Sequence, residues 1–211
     1  MAASSNRTLF LIRKIHIHSG LFLLWLTWLF ALSGVMLNHP KWEISKFWER
    51  RDVQTEVTPL EIPPIDAEKR VETVLKQLEI DGEPESIHWS DDSGAFTVSV
   101  VRPGTIVEVS VNAELTQAEV KRTQTDGAGI VHMLHTFNGV SVDEPARQRD
   151  WFWSTAWVAV MDMLAIALGV WVISGYYLWL KLGKMTPFGA TVAGLGILLA
   201  GFFLFVTPYL P

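Results

Sequence analysis

The chain has 211 residues, 49% hydrophobic and 18% charged, with a formal net charge of −5 and no cysteine. The missing cysteines exclude disulfides, thiolate metal sites, iron–sulfur clusters and covalently attached haem, and the net acidity argues against nucleic acid as a partner. Of the 22 acidic residues, 21 fall between positions 40 and 150, none before and only Asp162 after, and that middle stretch carries 12 of the 17 basic residues and hence a net charge of −9. Charges sorted in this way predict a membrane protein with one extramembrane domain.

In chain order, the first element is an apolar run over Gly20–Leu37, with Ile15–Ser19 leading into it. At 1.5 Å per residue it covers about 27 Å, close to a bilayer core. It is too long for a typical signal-peptide core and its exit lacks a small-x-small cleavage pattern, so a retained anchor is expected. Residues 40–62 read as a linker that begins amphipathic, with Trp42, Phe47 and Trp48 suited to a membrane surface. After Pro63-Pro64, Asp66 reads as an N-cap, and Val71, Val74, Leu75 and Leu78 recur at helical spacing up to Asp81-Gly82.

Strand signals follow: a short segment at Ser86–Ser90, then Phe96, Val98 and Val100 alternating with polar residues. Arg102-Pro103-Gly104-Thr105 has the residues of a type II turn. Val107, Val109 and Val111 continue the alternation, and a last strand is expected around Thr116–Thr123. The expected domain is one helix covering an antiparallel meander of three or four strands.

The second apolar run is Trp151–Leu182, with tryptophan and tyrosine at both ends as membrane interfaces favour, and the third is Phe188–Val206 after a short turn at Lys181–Pro187. Arg7, Arg13 and Lys14 before the first run, and Lys181 and Lys184 between the other two, place those segments in the cytoplasm by the positive-inside rule. The acidic domain and the C-terminus then lie outside. Small residues in the third run, Ala190 with Gly194 and Gly196 with Ala200, suit close packing against the second run or another subunit. The expected fold is an α+β membrane protein: residues 1–39 as N-terminus and first span, 40–150 as external domain with linkers, 151–182 as second span, 183–211 as third span and C-terminus.

Six histidines carry the chemical signal. His16 and His18 stand at one end of the first run, His39 at the other; His132 and His135 precede the second run, and His88 falls on a predicted strand. A b-type haem needs two imidazoles facing each other in an apolar slot. His18 and His39 are about 32 Å apart along a helix and cannot share one. His39 with His135, or with His132 one helical turn earlier, is the expected pair, with Arg147 and Arg149 available to propionates. The same trio suits copper or zinc, and the plain alternative is His39 capping a helix end with His132 and His135 bonding backbone carbonyls. His16 and His18 would need Met185 or another subunit as partner. Asp162 lies near mid-membrane, where an ionisable group is costly; Thr27, at similar depth, is a candidate partner. A buried hydrogen bond, proton uptake and docking to a charged partner all remain open for it.

Three segments resemble the PepSY-associated transmembrane family of bacterial inner-membrane proteins: Arg13–His39 with its exit Ser33-Gly34-Val35-Met36-Leu37-Asn38-His39-Pro40; Leu134-His135-Thr136-Phe137-Asn138-Gly139; and Met161-Asp162-Met163-Leu164 with Ile173-Ser174-Gly175-Tyr176-Tyr177. The resemblance implies a periplasmic PepSY-like domain on an inner-membrane protein. Larger relatives are thought to carry b-type haem and reduce ferric siderophores, which implies electron transfer to a periplasmic iron or other metal substrate. The alternative is a non-catalytic accessory or assembly subunit, docked to other membrane subunits or to itself, that binds a protein partner through the PepSY domain.

Overall fold

The computed structural model describes residues 2–90, 94–140, 151–181 and 187–209. Among the described residues three helices are long and apolar enough to cross a membrane: α1 (Ala2–Asn38), α4 (Phe152–Lys181) and α5 (Pro187–Phe205). Contacts divide the chain into two compact units within these helices: residues 1–24 with 165–211, and 25–164.

The second unit contains a five-stranded, wholly antiparallel sheet built from β1 (Asp52–Pro59), β2 (Glu83–Trp89), β3 (Phe96–Arg102), β4 (Thr105–Val111) and β5 (Gln117–Gln124). Its order is β1-β5-β4-β3-β2. On one face Phe96, Val98, Val100, Val107, Val109, Val111, Ala118 and Val120 form the core with Val71 and Val74 of α2 (Ala67–Gln77). The opposite face carries Thr97, Ser110, Glu108 and Lys121, paired across the strands as Thr97–Ser110 and Glu108–Lys121. Alternation at period two thus buries one face and solvates most of the other.

Two boundaries differ from expectation. The stretch read as a linker contains β1, an edge strand beside β5. Val53, Thr55 and Val57 alternate with polar residues there, but the strand is exposed almost throughout, so burial adds nothing to the pattern. Ahead of it two short 3-10 turns, Glu43–Ser45 and Phe47–Arg50, occupy the amphipathic part. The helix expected to reach Asp81-Gly82 ends at Gln77, where Glu79 adopts a φ of +52° that leaves the helical region.

A third helix in this unit, α3 (Gly127–Thr136), carries two of the candidate histidines. Asp126 caps it, accepting from the Ala128 and Gly129 N–H groups at 3.0 and 3.1 Å. Arg50 Nε donates to the same carboxylate at 2.6 Å, and this ion pair, with the backbone N–H of Gly129, holds Asp126 below the usual carboxylate range. The β3–β4 turn pins the helix from the other side. Gly104 has the φ of +88° that a type II turn requires, its N–H lies 3.3 Å from Met133 Sδ, and a Cβ there would come within 2.6 Å of Ile130. A Cβ at Gly129 would collide with Thr125 and Phe47, so glycine is needed for the helix to seat against the 3-10 turns.

Candidate histidine site

Within residues 25–164, α3 brings His135 against α1. The His135 Nδ1 lies 2.6 Å from Ser33 Oγ, and Ser33 Oγ lies 3.1 Å from the Phe30 carbonyl oxygen. A carbonyl only accepts, and Ser33 has one hydroxyl proton. Both bonds form together only when His135 Nδ1–H donates to Ser33 and Ser33 donates to Phe30. In the neutral imidazole this is the Nδ1–H tautomer, whose Nε2 keeps a lone pair. Ser33 is fully buried, the Phe30 ring lies 4.9 Å from the imidazole, and Gly34 leaves room for it, a Cβ there standing 3.8 Å from His135 Cε1. A serine that bonds the far nitrogen is the arrangement that orients a metal-ligating histidine.

Phe30 also lies against Trp157 of α4, ring centroids 6.4 Å apart. Trp157 Nε1 and the fully buried Ser154 Oγ have no hydrogen-bond partner among the described residues. Unpaired buried polar atoms are uncommon and call for a partner. An indole N–H and, three residues earlier on α4, a buried hydroxyl are donors of the kind that suit an anionic group such as a propionate. The oriented imidazole in aromatic surroundings fits one of the two axial positions that a b-type haem needs.

The other candidates are less gathered. His132 is one helical turn before His135, its ring 4.6 Å from that of Phe47. Burial holds its pKa below the usual histidine value. His39 follows the end of α1, is exposed, and stacks on Trp42 at 4.2 Å and 6°. Its hydrogen bonds reach neither His132 nor His135; its N–H donates to Met36. Among the described residues no three His, Asp or Glu side chains converge as a metal-binding group. His88 is exposed on β2 opposite Thr97. Arg147, Arg149, Lys184 and Met185 lie outside the described residues.

A second imidazole is cradled within the other unit. His16 Nδ1 lies 3.0 Å from Ser174 Oγ and 3.2 Å from the Trp171 carbonyl, to which Ser174 Oγ also donates at 3.0 Å. The ring stacks on Trp171 at 5.5 Å and 2°, and a Cβ at Gly175 would stand 3.1 Å from His16 Cε1. The Trp171 indole in turn covers Gly20, where a Cβ would stand 2.9 Å from Nε1. Sequence reasoning assigned no role to Ser33 or Ser174. The signal for both is a repeated aromatic-x-x-Ser-Gly, Phe30–Gly34 and Trp171–Gly175. His18 Nδ1 donates to the Lys14 carbonyl of its own helix at 2.7 Å.

Asp162 and Thr27 are both exposed, and no hydrogen bond joins them. Asp162 has no polar partner among the described residues. Gly194, Gly196 and Gly201 of α5 have open space around them, a Cβ at each meeting nothing within 4 Å, so the close packing expected of them against α4 is not seen.

No protein-family model matches this chain, and neither does any curated protein or solved structure.

Proposed function

We propose that the chain is a PepSY-like protein of the bacterial inner membrane that holds a b-type haem through His135 and serves electron transfer to a periplasmic iron or other metal substrate. The observation that carries this reading is the Ser33 bond to His135 Nδ1, which leaves Nε2 as the coordinating nitrogen. Trp157, which stacks on the Phe30 that neighbours His135, has an unused indole N–H that supports the reading. Bound there, a haem would supply a one-electron carrier. His39 is the second ligand in this reading, with His132 as the substitute for His135, and Arg7, Arg13, Lys14 and Lys181 support a cytoplasmic N-terminus with the sheet domain in the periplasm. A cleft between the β2 side of the sheet and α3, lined by Glu85, Val101, Ile106, Met133 and Phe137, offers a cationic substrate a place beside the histidine helix.

The test is the absorption spectrum of protein purified from haem-replete cells. A Soret band is expected; colourless protein would sink the reading. A second reading, an accessory subunit of a larger membrane complex, is favoured by one observation, the exposed and unpartnered Asp162 in an apolar helix.

A further inference from the structure

Asp162 stands ten residues into α4 from Phe152, about 15 Å along the helix axis. Its short side chain cannot reach either end of the span. It faces outward, with no partner among the described residues, in a helix otherwise suited to lipid. An ionisable side chain in a bilayer faces protein or a water-filled cavity rather than acyl chains. Thr155 and Ala159, seven and three residues before it on the same exposed row, are small enough for another helix to approach closely.

From this we infer that the Asp162 face of α4 docks a transmembrane helix of a different protein that carries a lysine or arginine at mid-bilayer depth. Charge complementarity selects this occupant. In this chain the described basic residues of the apolar helices either precede the apolar run Gly20–Leu37, as Arg7, Arg13, Lys14, His16 and His18 of α1 do, or end the helix, as Lys181 of α4 does. A second copy would bring only another carboxyl group to Asp162. The inference rests on the reading of α4 as a membrane span and on the accessory-subunit reading, whose partner it specifies; it does not depend on haem.

The experiment uses the full chain in phosphatidylcholine vesicles, with a labelled polyleucine helix of about 20 residues bearing one central lysine as probe. Energy transfer should report association at least about tenfold tighter than for the all-leucine helix. D162N and D162L should reduce it to the all-leucine level. A159F, which keeps the carboxylate but fills the row, should weaken it as well. Equal binding of the two probes, or undiminished binding by D162L, would overturn the inference. So would stronger transfer between two differently labelled copies of the chain than to the lysine helix. Extraction of the wild-type protein from membranes by alkaline carbonate would overturn the span reading, and the docking face with it. The Soret band, recorded on the same samples, reports separately on the haem reading.

Discussion

The two cradled histidines are made from the same parts and differ in how tightly those parts close. His16 rests on Gly175 with a would-be Cβ 3.1 Å away, lies parallel to Trp171, and has two oxygens within reach of one nitrogen. His135 has one oxygen at Nδ1, a tilted Phe30 as neighbour and a looser contact over Gly34, and Trp157, stacked on the same Phe30, has an unused indole N–H. One local pattern thus yields a clamp between helices in the first case and an open, oriented imidazole in the second. Surplus polar capacity, rather than the histidine itself, separates the ligand candidate from the structural one.

The largest expected effect breaks this comparison directly. His135→Ala should abolish the Soret band of the purified protein, whereas His16→Ala should retain the band while lowering thermal stability by about 1–3 kcal/mol through lost packing and an unpaired serine. Loss of the band in both variants would show that the two cradles are equivalent. Next in size is the pair of glycines. Gly175→Val should cost about 1–3 kcal/mol, because His16 cannot shift without giving up its stacking and both polar contacts. Gly34→Ala should cost less than about 0.5 kcal/mol, since the added methyl meets the imidazole at ordinary contact distance. Thermal unfolding in detergent reads both, and equal costs would remove the distinction in tightness. Ser33→Ala and Ser174→Ala sharpen it further. Each loses about 1 kcal/mol of stability, but only Ser33→Ala should also weaken haem retention, by about 10–100-fold, as loss of an orienting partner does. Haem transfer to apomyoglobin measures the retention, and identical transfer rates for the two serine variants would refute the positioning role of Ser33.

Sequence patterns predict those parts of the molecule whose signals are local. Apolar length locates α4, α5 and the C-terminal end of α1 to within a few residues, whereas α1 begins at Ala2, well before its apolar run, and the Val98-Val100 and Val107-Val109-Val111 alternation locates the central strands. β1 escapes because an edge strand with both faces wet has no burial to enforce its pattern. The cradles escape for another reason. Ser33 and His135 are 102 positions apart, and His16 and Ser174 are 158 apart. Nothing in either neighbourhood announces the other, and the folded chain alone brings serine to imidazole. Gly20 and Gly129 are similar. Each is a plain glycine in sequence, and each proves to be where a bulky neighbour, Trp171 or Phe47, presses on the helix backbone.

The smallest effect concerns His132, which separates the two histidines of α3 from one another. Its pKa lies below the ordinary value of 6.5 because burial disfavours the charged ring. In the unfolded chain the ring takes up a proton as pH falls through the ordinary histidine range, whereas in the folded chain it does so only at lower pH. Between those two points the unfolded state binds more protons, so stability is full above the unfolded value and declines as pH falls toward the folded one. His132→Gln, which cannot titrate, should flatten that decline between about pH 7 and about pH 5 while leaving stability at neutral pH nearly unchanged. Melting curves across that range check it, and an unchanged slope in the variant would place the pH dependence elsewhere.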